Sequence, residues 1–225
     1  MLEKLAEGLW TAEHDFKMGP IPLGTRSTLI RLGDGSLWLH SPGPMDEAFV
    51  AEISAQGGVG HIVAPNLFHH LYLREAAAAF PDAAVHLAPG LEAKLGGAVT
   101  GIELGDEAPK AWSSDLDQVW VRGMPRVEEV AFLHRAIRTL LLTDLAFHVR
   151  NRDSVLARFF FTLTGVYGRF AASRLLKTLI RDKPAFRQSI DRILEWDFDR
   201  ILVTHGEVLE TGGAKALRKA WARFG

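Results

Sequence analysis

Three polar motifs, each closing an apolar run, constrain this chain more than any other feature: Pro65-Asn66-Leu67-Phe68-His69-His70, Leu142-Thr143-Asp144 and Val203-Thr204-His205-Gly206. The runs before them, residues 60–64, 138–142 and 200–203, are short and aliphatic, which predicts buried strands. Side chains just past a strand lie at the rim of a sheet, where segments remote in sequence converge. Three imidazoles and one carboxylate at such a rim form a donor set for a divalent transition metal. Each motif alone also has a structural reading. His70 can cap or pack a following helix, Asp144 can serve as a helix N-cap, and His205 can simply close a tight turn. Their common placement, in a chain with nine histidines, favours the metal site.

Around these motifs the first half alternates strand and helix signals. Residues 25–32 and 36–40 flank Gly33-Asp34-Gly35 and predict a hairpin, because glycine supplies the positive φ of a tight turn. Residues 44–56 predict a helix with Asp46 near its start, Phe49, Val50 and Ile53 on one face, and Gly57-Gly58 as its stop. A strand over 60–64, a helix over 70–80, a strand over 83–88 and a short helix over 91–95 follow. The middle third predicts a strand over 118–122 and a hairpin of 129–134 with 138–143. Residues 148–196 predict consecutive helices at roughly 153–164, 168–181 and 184–196. A strand over 200–204 and an amphipathic helix over 214–224, with Leu217, Ala220, Trp221 and Phe224 on one face, close the chain. Two groups of strands with helices between them predict two packed sheets with helices outside. The expected class is therefore α/β (α+β), one domain over 1–225, with 148–196 as a helical insertion before the last strand.

Bulk properties narrow the chemistry. The chain has 26 basic and 27 acidic residues and a formal net charge of −1, so its overall charge gives no reason to expect nucleic acid as a partner. It has no cysteine, which leaves His, Asp and Glu as metal donors and rules out a thiol nucleophile. Acidic residues interrupt the N-terminus where a signal peptide needs an apolar segment, and no stretch reaches the ~20 apolar residues of a membrane span. A cytoplasmic location is the expectation. No phosphate-binding glycine loop, nucleophile elbow or H-E-x-x-H is present. The block 148–196 is rich in Lys and Arg and carries Phe159-Phe160-Phe161. It reads as a solvated face, with contact to an anionic substrate or membrane surface as the alternative.

Two further residues border the central hairpin. Glu129 shares a strand face with Ala131 and Leu133, and His134 lies on the face of Val130 and Phe132. Glu129 reads as a carboxylate that orients a ligand histidine or as a surface glutamate. His61 and His86 fall inside strands and read as core or edge histidines. His40 and His148 have weaker claims on the site.

In these motifs the chain resembles the metallo-β-lactamase fold, whose hallmark is H-x-H-x-D-H after one strand, an Asp after a later strand and a His-Gly after the last. Pro65 to His70 falls on the first motif, Asp144 on the second and His205 on the third. More closely, Val63-Ala64-Pro65-Asn66, His69-His70, the 129–134 strand, 138–144 and Trp196-Asp197-Phe198-Asp199 with His205-Gly206 are similar to an uncharacterised bacterial family, a domain of unknown function on a divergent branch of that fold. The resemblance implies an αββα sandwich. Pro65 and Leu67 stand where the first metal takes two histidines, and no histidine stands near Met124-Pro125 for its third. It therefore implies one metal, zinc first with iron or manganese compatible, on His69, His70, Asp144 and His205. The implied function is a mononuclear metal-dependent hydrolase, in which an activated water attacks a small ester, amide, thioester or phosphoester. Asp144, Glu129 and His134 are the candidates to orient ligands or move protons. The alternative is a non-catalytic descendant of the fold that binds a small molecule or a protein partner.

Overall fold

Strands buried on both faces and helices buried on one side sort this chain into two sheets and their covers. The computed structural model describes residues 1–150 and 154–222. The first half carries β1 (Glu3–Ala6), β2 (Leu9–His14), β3 (Lys17–Met18), β4 (Ile21–Pro22), β5 (Thr25–Arg31) and β6 (Leu37–His40). Then come α1 (Glu47–Ser54), β7 (Val59–Ala64), α2 (Leu73–Ala79), β8 (Ala84–Leu87), α3 (Leu91–Lys94) and β9 (Ile102–Glu103). The second half begins with β10 (Leu116–Trp120), β11 (Val130–His134), β12 (Thr139–Leu142) and β13 (Phe147–Val149). It continues with α4 (Val155–Leu163), β14 (Arg169–Ala171), α5 (Arg174–Lys177), α6 (Lys183–Leu194), β15 (Arg200–Val203) and α7 (Gly213–Trp221).

Among the described residues, seven strands form one sheet in the order β1-β2-β5-β6-β7-β8-β9, and four form another in the order β10-β11-β12-β15. β3 pairs with β4, and β13 with β14. The strand β11 shows how the layers arise. Val130 and Phe132 point between the sheets, where they join Trp38, Trp112 and Leu141. Ala131 and Leu133, one residue out of phase, face the helices. Trp38 meets the ring of Phe132 edge-on at 4.9 Å. On the outer face of the first sheet, Phe49 and Ile53 of α1 and Leu73 and Ala76 of α2 cover Leu39 and Ile62. On the outer face of the second, Phe186 and Ile190 of α6 and Leu217 and Trp221 of α7 cover Leu140 and Ile201. The layers are helix, sheet, sheet, helix, as the sequence predicts.

Several boundaries differ from the sequence expectation. The segment 168–181 is not one helix: β14 pairs antiparallel with β13, Phe170 opposite His148, before the single turn of α5. Gly165 and Gly168, at φ of +80° and +76°, turn the chain back instead of continuing α4. The helix expected from residue 70 starts at Leu73, and the strand expected over 118–122 spans Leu116–Trp120. The first 24 residues, to which no element was assigned from sequence, supply β1 to β4. The expected helix start at 153 and the apolar Phe224 lie outside the described residues.

Two strand histidines are buried in aromatic surroundings. His40 stacks on Trp38, and His86 lies edge-on to Trp112 at 4.5 Å. Burial, with the neighbouring His69 and His61 respectively, pushes their pKa values down to about 3 and about 4. The unfolded chain therefore takes up these protons first. Stability carried by the neutral rings is complete above the ordinary histidine value of about 6.5 and is lost as pH falls toward the folded values. Urea midpoints should fall between about pH 7 and pH 4. His86→Phe, which keeps a ring against Trp112, should fall less steeply, and an unchanged slope would contradict this account.

Candidate metal centre

β12 and β15 are parallel neighbours with Leu142 opposite Val203, so both run out at the same edge of the second sheet. Just beyond, His205 Nε2 stands 3.7 Å from Asp144 Oδ1. The third side chain comes from the other sheet. The loop after β7 bridges the two sheets through Val130 N–H to Pro65 O and Leu67 N–H to Val127 O, each 2.8 Å. That bridge brings His69 Nε2 to 3.2 Å from His205 Nε2 and 3.4 Å from Asp144 Oδ2. One ligand atom from each of the three side chains lies within 4.8 Å of the other two.

Buried hydrogen bonds aim each of them. Asn66 Oδ1 accepts the N–H of Phe68 at 2.9 Å and of His69 at 2.8 Å, forming a turn that presents the His69 ring. Its Nδ2 donates to Asp144 Oδ2 at 2.7 Å and to Thr143 Oγ at 3.0 Å. The Glu129 carboxylate, fully buried, accepts three successive amides, from Thr143 and Asp144 at 2.8 Å and Leu145 at 3.0 Å. His69 Nδ1 lies 2.9 Å from Ser41 Oγ, and His205 Nδ1–H donates to the Gly24 carbonyl at 2.7 Å. Phe147 stacks on the His205 ring. Gly206 follows from close approach: at φ of +109°, a Cβ there would come within 2.2 Å of the His148 carbonyl oxygen. Ser41, in contact with His69, and Glu128, next to Glu129 in the chain, hold left-handed φ values of +51° and +50°, which non-glycine residues adopt only where surrounding structure enforces them.

Electrostatics separates the two buried carboxylates. Burial and the adjacent Asp144 raise the pKa of Glu129 above the usual carboxylate range, against the pull of its amide donors. For Asp144 burial also opposes ionisation. His69, His205 and the Asn66 amide outweigh it and hold the group below its ordinary value.

The chemistry of the donor set fits a metal. His205 must carry its proton on Nδ1, facing a carbonyl, so its Nε2 presents a lone pair. His69 likewise turns Nε2 inward while Ser41 engages Nδ1. Two imidazole nitrogens and a carboxylate thus converge, with the Asn66 amide hydrogen-bonded to the carboxylate. A cation completes such a cluster. With one ligand atom from each side chain within 4.8 Å of the other two, the three are near enough to share a single cation.

Other residues picked out from the sequence go elsewhere. His70 is not part of the group: its Nε2 lies 3.2 Å from Lys94 Nζ. Both histidines sit in the turn before α2, and Asn66 fixes the backbone at His69, so His70 diverges. His134 is at the far end of β11, opposite Thr139. At ~3.3 Å per residue, that is roughly 16 Å along the strand from Glu129, too far to act at the cluster. Glu129 orients the Asp144 backbone through its carboxylate and is not one of the three clustered donors. His61 and His86 pair with each other at 3.1 Å, and His148 Nδ1 meets the Glu207 carbonyl. Sequence reasoning missed Asn66, Ser41, Gly24 and Phe147. Of these, only Asn66, three residues before His69 in an Asx-turn spacing, left a signal.

A cavity of about 340 Å³ opens over the cluster. Phe16, Leu23, Phe147, Phe161, Leu176 and Leu179 help to wall it, and His69, Asp144 and His205 form its polar end.

The architecture has many solved counterparts. The metallo-β-lactamase from Pontibacter korlensis superposes with a TM-score of 0.69 at 11% identity, covering 99% of each chain. A metallo-β-lactamase from Erythrobacter litoralis, with β-mercaptoethanol in its active site, gives 0.66 at 17% identity over 97% of this chain and 94% of its own. The flavodiiron core of Flv1 from Synechocystis gives 0.64 at 11% identity, covering all of this chain and 60% of its own. At such identities the likeness establishes the fold and leaves the reaction open. No curated protein matches the sequence. Over residues 6–160 the sequence matches the family described as Domain of unknown function (DUF4336), and the chain is a member of that family, built on the metallo-β-lactamase fold.

Proposed function

We propose that this protein is a mononuclear metal-dependent hydrolase acting on an ester or thioester with an apolar acyl group. The observation that carries the reading is the convergence of His69, Asp144 and His205 at the polar end of an otherwise apolar cavity. Three protein donors leave one position of a tetrahedral centre open, which is the pattern of catalytic rather than structural sites. A divalent metal held there supplies Lewis acidity, polarising a carbonyl and acidifying water. The chain's own residues do the rest. Ser41 and the Gly24 carbonyl fix the imidazole orientations, and Asn66 holds Asp144 Oδ2. Asp144 Oδ1 is the carboxylate oxygen left to accept a proton. The apolar walls exclude water and seat the acyl chain, and among the described residues no arginine or lysine lines the cavity, which disfavours a phosphoester.

Elemental analysis of untreated protein should find about one metal per chain, as three donors allow one centre. His69→Ala and His205→Ala should lose it, whereas His70→Ala should retain it. Metal that persists in His205→Ala would remove the basis of the reading. Metal without turnover across acyl esters and thioesters of increasing chain length would instead favour a non-catalytic binding protein, the reading supported by Pro65 and Leu67 at the positions of lost histidine donors.

Glu129→Gln sets an amide against backbone N–H groups that need acceptors. It should weaken metal affinity about 10- to 100-fold, the range for groups that orient ligands, and cost about 1–3 kcal/mol of stability from unpaired buried amides. Isothermal titration with Zn²⁺ and urea unfolding measure the two effects. Affinity equal to wild type would mean that Glu129 has no part in placing Asp144.

A further inference from the structure

The helix α4 is apolar on two opposite sides, and only one is covered. Ala157 and Phe161 are buried in the core beneath it. Val155, Leu156, Phe159 and Leu163 form a second stripe about 100° wide on the helical wheel, with exposures of 78%, 45%, 67% and 64%. The start of α5 is tied to the end of α4 by Arg174 N–H to Thr164 O at 2.9 Å, so exposed Leu175 extends the same surface. A soluble helix does not ordinarily spend large side chains on water in this way.

Charge says what covers the surface. Residues 154–181 contain five Lys and Arg and no Asp or Glu, in a chain whose totals are nearly balanced. Among the described residues, Arg158, Arg169 and Arg174 make no ion pair. Arg158 lies over Tyr167, and the other two reach only the backbone carbonyls of Gly165 and Leu163. A second copy docked through this face about a two-fold axis would set these arginines against their own counterparts with no carboxylate from the segment between them. An anionic lipid surface satisfies both halves of the face: headgroup phosphates pair the guanidinium groups while the stripe enters the acyl boundary. Among the described residues no helix is long and apolar enough to cross a membrane, so contact would be at the surface.

We infer that the face formed by α4 and α5 docks the protein on an anionic lipid bilayer. Leu175, and with it exposed Leu71 and Phe68, also lines the cavity above the metal cluster, so docking sets the cavity mouth against the lipid. The docking itself requires neither bound metal nor turnover.

Co-sedimentation of the full chain with vesicles of phosphatidylcholine, with and without phosphatidylglycerol, tests this directly. The expected result is binding to the anionic vesicles alone, released by raised salt. Replacing Arg158, Arg169 and Arg174 together by Gln should weaken it about a hundredfold, at the usual worth of a basic residue near such a surface. The double variant Phe159→Asp with Leu163→Asp, at exposed positions, should abolish binding while leaving the circular dichroism and metal content of wild type. No binding by wild type overturns the inference, as does equal binding to neutral vesicles. So does a wild-type dimer in ultracentrifugation that the aspartate variant dissociates, with no lipid binding, which would assign the face to self-association.

Discussion

The Glu129 carboxylate, buried at the start of β11 and bonded to three successive amides, is the interaction on which the site depends. Where β12 ends, Thr143, Asp144 and Leu145 lose their ladder partners, and their N–H groups must find acceptors inside the protein. A single buried carboxyl group meets all three. Burial and the neighbouring Asp144 work against its ionisation, and the amides oppose them by favouring the charged form. The result is a rigid turn that faces Asp144 toward His205, with no choice left to the loop. Asn66 then ties that turn to the other sheet, so two halves of the chain 78 residues apart in sequence share one hydrogen-bond network.

This arrangement places the candidate ligand side chains just past the ends of strands, with their spacing set by the sheets. Parallel pairing of β12 with β15 sets the spacing of Asp144 and His205 by ladder geometry. The two backbone bonds between the 65–67 segment and the entry to β11 do the same for His69. Precision of this kind is what a metal centre requires, because a displacement of half an ångström spoils coordination. Of the three non-glycine residues with left-handed φ among the described residues, Ser41, Glu128 and Arg138, Ser41 touches the cluster through His69, Glu128 precedes Glu129, and Arg138 sits in the turn before β12.

The layered fold was legible because the apolar runs fall into two groups of strands that read as buried on both sides, with helices between them. Along β11, buried throughout, Val130 and Phe132 face the other sheet and Ala131 and Leu133 face the helices. The convergence of His69, Asp144 and His205 was legible for a related reason: each follows a strand, and strands of one sheet end together. His70 could not be told from His69, since the difference is whether α2 begins at residue 70 or at Leu73, and an Asn66 side chain decides that. His134 misled because a strand carries a residue away from the site as readily as toward it. Gly24 and Ser41 were invisible, one acting through its backbone carbonyl and the other through a hydroxyl common on any surface. The pair β13 and β14 was missed because β14 is three residues long and lies between two glycine turns and a helix start.

The departure of His70 from the cluster changes more than a ligand count. Four protein donors would complete a tetrahedron and leave a bound metal nothing to do but hold the fold together. With His70 turned to Lys94, three donors remain, and all three line the cavity, so a metal held by them would be open to what enters it. In the proposed reading, the walls that would seat an apolar group would also keep bulk water from competing at the centre, strengthening the electrostatic interactions within it. The helices forming those walls are the ones that carry an uncovered apolar stripe outward. In the proposed reading, therefore, residues 154–181 have two apolar sides because they serve two apolar partners, the acyl group within and the lipid without.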